Sequence, residues 1–154
     1  MNIHKGARGD MEDRLRNLLV GDVMARKIVT VREDQLLAEV AEDLFEKGIT
    51  GAPVVDANGV CVGMITSVDF MRRQGVEETG APWTPPVNEA VGHLMTRGAK
   101  TISVDAPLLL AARMMCDSHV HRLPVIAADG QLVGILTSLD IVAALVNAED
   151  ETKA

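Results

Sequence analysis

Tyrosine is absent from this chain, and one tryptophan and two phenylalanines make up an aromatic content of only 2%. Platforms that stack the bases of single-stranded nucleic acid need successive aromatic side chains, so that class of binder is disfavoured. The core must then be built from Val, Leu, Ile, Met and Ala. Basic residues are also in deficit: 15 Lys and Arg stand against 22 Asp and Glu, for a formal charge of −7. A phosphate backbone is gripped by a basic face, so nucleic acid is not an expected partner, although a local basic spot is compatible with this balance.

Cysteine occurs twice, as Cys61 and Cys116, each in an apolar run. Two such residues do not make a disulfide scaffold; free buried thiols in a reducing cytoplasm are the expectation. The start Met1-Asn2-Ile3-His4-Lys5 lacks the apolar core of a signal peptide. The longest strongly apolar region, Pro107–Cys116, is broken by Arg113 and too short to span a bilayer. No His-Glu-x-x-His, Gly-x-Ser-x-Gly or phosphate-loop pattern occurs. Hydrolytic or transfer chemistry is therefore not expected, and no catalytic residue is assigned. Cys116, His119 and His121 come nearest to a metal cluster. In an extended segment the two histidines share a face, but a closed site takes about four ligands, so no metal is expected.

What the chain does contain is a duplication. Gly63-Met64-Ile65-Thr66-Ser67-Val68-Asp69 returns as Gly134-Ile135-Leu136-Thr137-Ser138-Leu139-Asp140, 71 residues later. The same offset pairs Gly21 with Gly92, Met24 with Met95, Thr30 with Thr101, Pro53 with Pro124 and Gly59 with Gly130, without a gap. Such self-similarity marks two copies of one structural unit. They run over residues 20–74 and 91–147, after an N-terminal extension (1–19), around a linker (75–90) and before a polar tail (148–154).

Within the extension, Met1–Gly9 reads as flexible, and Asp10–Leu19 as a short amphipathic helix with Leu15, Leu18 and Leu19 at helical spacing. In the first copy a strand is expected at Ile28–Val31. A helix follows with Leu36, Leu37, Val40, Ala41, Leu44 and Phe45 on one face, stopped by Gly48. Ala52–Val55 and Val60–Thr66 form a hairpin turning at Asn58-Gly59, and Ser67–Gln74 is a closing helix. The linker Gly75–Pro86 holds Trp83, which is expected to pin it to the body of the protein. The second copy repeats the order, with a strand at Thr101–Val104, a helix from Pro107 to Ser118, a hairpin over Leu123–Thr137 turning at Asp129-Gly130, and a helix at Ser138–Asn147. The result is an α/β (α+β) fold of two β-α-β-β-α repeats, each with a parallel crossover and an antiparallel hairpin.

The repeated Thr-Ser-x-Asp element has two readings. As a capping box it merely starts a helix, the Thr at the N-cap and the acid three residues on, although Asp is shorter than the usual Glu or Gln. As a binding element it offers free backbone N–H groups and a partial positive charge to a phosphate. Its carboxylate can also accept from both hydroxyls of a ribose. The readings are compatible. A second cluster, His121-Arg122-Leu123-Pro124, supplies a guanidinium able to take a phosphate with two parallel bonds. The first copy has Thr50-Gly51-Ala52-Pro53 at the same place, with no cation.

On these residues the chain resembles a tandem pair of cystathionine-β-synthase (CBS) domains, or Bateman module. The resemblance covers about Val20–Val146 and is carried by Val23-Met24 and Leu94-Met95, Ala52-Pro53-Val54-Val55-Asp56 and Leu123-Pro124-Val125-Ile126, and the two Gly-to-Asp segments. It implies two repeats packed about a pseudo-two-fold axis and a homodimer of such modules, with the apolar helices Leu36–Phe45 and Leu108–Cys116 as contacts. It also implies binding of AMP, ADP, ATP or S-adenosylmethionine between the repeats, with no classical cofactor, and a signal passed to an effector expected on another chain. By position, Thr66 with Asp69 and Thr137 and Ser138 with Asp140 would hold ribose and phosphate. Ile28, Thr30, Lys100, Thr101, Ile102, Ala52, Pro53, Leu123 and Pro124 would line adenine pockets. His121 and Arg122 would take phosphates, and the resemblance points them to the ligand held by Asp69, which makes the Asp140 site the weaker one. A ligand-free dimerisation module and a single-stranded nucleic-acid binder are the alternatives.

Overall fold

A computed structural model describes residues 3–74 and 86–153, with side chains described over 11–73 and 86–149. In chain order the elements are α1 (Ile3–Asn17), α2 (Val20–Val23), β1 (Val31–Arg32), α3 (Leu37–Glu46), β2 (Gly51–Val55), β3 (Cys61–Thr66) and α4 (Ser67–Gln74). A single 3-10 turn follows at Val91–His93. Then come β4 (Thr96–Arg97), β5 (Ile102–Ser103), α5 (Leu108–Ser118), β6 (Arg122–Ile126), β7 (Leu132–Thr137) and α6 (Ser138–Lys153). The linker tryptophan, Trp83, lies outside the described residues.

Two sheets result, in the orders β1-β2-β3-β4 and β5-β6-β7. In each, a short first strand lies parallel to the second across a helical crossover, and the second and third form an antiparallel hairpin. The duplication extends to irregularities. The ladder slips one residue between Val54 and Val55 and again between Val125 and Ile126. Both hairpins close on a glycine with positive φ, Gly59 and Gly130, each the left-handed last residue of a three-residue loop in which Asp56 N–H donates to the Val60 carbonyl and Ala127 N–H to that of Gln131.

The chain divides into two compact units, and these are not the sequence repeats. One consists of Met1–Lys27 with Thr101–Ala154, the other of Ile28–Lys100. The segment that opens the first repeat belongs to the unit holding the second repeat's sheet: Val20 and Gly21 donate to the carbonyls of Ala106 and Val104, and Ala25 bridges Ile135. Reciprocally, the opening of the second repeat joins the first repeat's sheet, where β4 pairs with β3 at Gly63 and Met64. The two cores record this exchange. Every buried residue of one core has a counterpart 71 residues away in the other, from Leu37 and Leu108 to Ile65 and Leu136. Yet Val20 and Met24 sit with Leu108 and Leu136, while Val91 and Met95 sit with Leu37 and Ile65.

Several local expectations are corrected. The strand expected at Thr101–Val104 shrinks to Ile102–Ser103, and the one expected at Ile28–Val31 is displaced to Val31–Arg32; each pairs only with the last two residues of its parallel partner, which ends at Ile126 or Val55 where the hairpin turn begins. Phe45 does not join the buried face of α3; it is 85% exposed, while Leu37, Val40 and Leu44 make the contact. Cys116 is exposed and Cys61 half-buried, so neither thiol is fully buried. Helix α1 begins at Ile3 and α6 continues to Lys153, longer than the sequence suggested. These two helices and α5 lie together; residues such as Leu15, Leu109, Ile141 and Leu145 line one shared cavity. Helices of this kind gain their stability from packing more than from propensity. Among the described residues no helix is long and apolar enough to cross a membrane.

Candidate functional site

The repeated Thr-Ser-x-Asp element stands at the C-terminal end of the hairpin's second strand in both units. The chain leaves β3 at Thr66 and enters α4 at Ser67, and leaves β7 at Thr137 and enters α6 at Ser138. The junction is held from behind by one backbone bond: Ser67 N–H donates to the Thr50 carbonyl, and Ser138 N–H to the His121 carbonyl, both at 2.9 Å.

The capping geometry is realised with the shorter acid. Asp69 Oδ2 accepts from the Thr66 backbone N–H (2.8 Å) and hydroxyl (3.0 Å). Asp140 Oδ2 accepts the same pair from Thr137 at 2.7 and 2.9 Å, and the Asp140 N–H donates back to the Thr137 hydroxyl at 3.2 Å. Each arrangement fixes the carboxylate at a helix entrance, where the helix dipole favours negative charge.

Beyond this shared part the two copies differ. The Thr96 hydroxyl donates to Asp69 Oδ1 at 3.0 Å, so both oxygens of Asp69 are occupied, and the residue is only 7% exposed. Asp140 is half-buried, and among the described residues no donor reaches its Oδ1. No motif in the sequence singles out Thr96. Its signal was the mismatch at the 71-residue offset, where Thr96 faces Ala25.

The second unit, Ile28–Lys100, contains Ile28, Thr30, Ala52, Pro53, Thr66, Asp69 and Lys100. The first contains Thr101, Ile102, His121, Arg122, Leu123, Pro124, Thr137, Ser138 and Asp140. Within the first, Arg122 is the register partner of Thr137, so the cation-bearing strand end lies directly beside the Asp140 element. In the second, the place opposite Thr66 is taken by Gly51. The expected pair of Asp69 with His121 and Arg122 joins residues of different units. Ala52, Pro53, Ile102, Leu123 and Pro124 are buried as whole residues, backbone included. Thr30, Lys100 and His121 are exposed; Ile28 and Thr101 are half-buried. Two cavities of about 830 and 370 Å³ are lined by α1 with α2 and α6, and by α1 with α5 and α6; neither includes a candidate residue.

Comparison with known proteins gives this arrangement a context. The family model "CBS domain" matches twice, over residues 20–75 and 91–147. The homoserine O-acetyltransferase of Methanococcoides burtonii is 32% identical over 127 residues, which are 82% of this chain but 24% of that protein. The chain thus spans about a quarter of that enzyme's length. The chloroplastic CBS domain-containing protein CBSX2 of Arabidopsis thaliana is 28% identical, with 87% of this chain and 66% of that protein covered. The crystal structure of CBSX2 in complex with AMP superposes with a TM-score of 0.72 at 31% identity, covering 85% of this chain and 98% of the other. The CBS domain pair of protein MJ0100, in complex with 5′-methylthioadenosine and S-adenosyl-L-methionine, gives 0.70 at 27% identity, covering 84% and 97%.

Proposed function

The chain belongs to the CBS domain family, and from that premise we propose that it is a regulatory module that binds an adenosine-containing ligand and passes the binding energy to a partner rather than catalysing a reaction. The observation that carries the reading is the doubled carboxylate held by a Thr at a helix entrance. An ionised carboxylate is acceptor-only, and vicinal ribose hydroxyls are two donors at matching separation. The adjoining N-terminus of α6 and the Arg122 strand end suit an attached phosphate or other negative group. The complexes of the similar CBSX2 with AMP and of the MJ0100 pair with S-adenosylmethionine support the class of ligand.

Signalling needs a second body. Exposed apolar residues on the described helices, among them Phe45, Met71, Leu109, Leu110 and Leu139, support a second copy of the chain as one partner, with an effector protein as another. Monomers rarely leave large apolar patches in water. Two cysteines without a disulfide support a reducing compartment such as the cytoplasm.

A thermal-shift titration with AMP, ADP, ATP and S-adenosylmethionine tests the reading. A ligand at about 100 times its dissociation constant adds roughly 2.7 kcal/mol of stability. A rise in Tm that saturates with one of these compounds is the expected outcome. Flat melting curves with all four would remove the proposal.

A further inference from the structure

We infer that the two duplicated carboxylates have divided their labour: Asp140 is the ribose-accepting residue, Asp69 is an internal structural clamp, and the choice is made by residue 96 against residue 25. The inference rests on the adenosine-binding reading and assigns it to one of two sites. An ionised carboxylate has about four places for donors. Asp69 has filled three, two on Oδ2 from Thr66 and one on Oδ1 from Thr96. Asp140 has filled two, both on Oδ2, and its Oδ1 accepts nothing among the described residues. A pair of ribose hydroxyls needs two free places; Asp140 has them and Asp69 does not.

The cause is the exchanged segment. In the second unit β4 lies against β3 with Thr96 opposite Met64, which brings the Thr96 hydroxyl to the carboxylate 27 residues earlier in the chain. In the first unit Ala25 takes the equivalent place opposite Ile135. Its backbone makes both bridge bonds, at 2.9 and 3.0 Å, while its methyl group donates nothing to Asp140. The partial exposure of Asp140 and the burial of Asp69 follow the same division. The geometry therefore reverses the ranking implied by the resemblance, which favoured the Asp69 site.

Calorimetric titration of the full chain with AMP tests this. The wild type is expected to bind one AMP per chain. Asp140→Asn should weaken binding at least tenfold, and Asp69→Asn should leave the affinity within about threefold. Ala25→Thr guards against a misfolded Asp69 variant, because residue 25 is exposed and bonded through its backbone. It should weaken AMP binding at least fivefold, with Tm unchanged, by bringing a hydroxyl to Asp140. Loss of binding in Asp69→Asn with retention in Asp140→Asn, or an unaltered affinity in Ala25→Thr, overturns the assignment while leaving the adenosine-binding reading intact. Absence of AMP binding by the wild type, alongside the flat melting curves described above, removes both.

Discussion

Single residues carry the repeat's strictest demands. At Gly63 a Cβ would come within 2.3 Å of the Thr96 carbonyl oxygen, and at Gly134 within 2.8 Å of that of Ala25. Each glycine lets an exchanged segment lie flat on the sheet. Backbone cannot give way as a flexible side chain can, so Gly63→Ala should destabilise the fold by about 1–3 kcal/mol, read as a lower denaturation midpoint in urea. Gly48 and His119 are another matched pair. Both end their helix in the left-handed region, at φ 64° and 51°, and in both the next residue donates back to the last turn, Ile49 to Leu44 and Val120 to Met115. A side chain is strained there where glycine is not. His119→Gly is expected to raise stability by up to ~1 kcal/mol, measured by the same unfolding titration, and Gly48→Ala to lower it similarly. At Cys61, burial pushes the thiol above its ordinary range, against a weaker opposing bond to the Gly63 carbonyl. A raised pKa means less thiolate at a given pH, so iodoacetamide near pH 8 should label the exposed Cys116 well before Cys61. Peptide mass spectrometry over time reads the order.

Between elements, α4 is tied to the far side of the linker by one ion pair. Arg73 reaches Glu89 at 3.0 Å, and Glu89 is 8% exposed, with Oε2 unpaired among the described residues. The Glu89 carbonyl also accepts from Leu37 N–H at the start of α3. The first unit has no such pair, since the offset places Leu18 and Ala144 at these positions. Arg73→Ala leaves a buried carboxylate without its cation and should cost more than Arg73→Ala combined with Glu89→Leu, because an unpaired buried charge is the expensive state. A double-mutant cycle on the denaturation midpoints gives the coupling. Equal losses in the single and the double variant would mean that the pair contributes nothing. On α6, Leu139, Val142 and Val146 form one exposed stripe at helical spacing. If a second copy covers it, Val142→Glu should shift the mass seen by light scattering from dimer to monomer with little change in Tm.

For the whole molecule, the duplication was legible in the sequence because hydrophobic spacing, turn residues and caps all repeat at one offset, and each is a local signal. The two sheets, the hairpins and the helix entrances follow from it, as does membership of the CBS domain family. So did the identity of Asp69 and Asp140 as paired carboxylates, which local capping geometry dictates. Features set by long-range packing were not legible. The outward position of Phe45 depends on which side of α3 meets the sheet. The extension of α1 and α6 depends on their packing together. The state of Asp69 depends on a hydroxyl 27 residues along the chain.

Sequence by itself determined that there are two alike repeats, each with a carboxylate at a helix start, because the periodicities and caps that specify them act within a few residues. Only the tertiary structure decided which segment completes which sheet. The exchanged openings carry Thr96 to one carboxylate and Ala25 towards the other, and pairing between strands distant in sequence is a long-range choice that no local pattern encodes. That choice fixes how many of each carboxylate's lone pairs remain for a ligand.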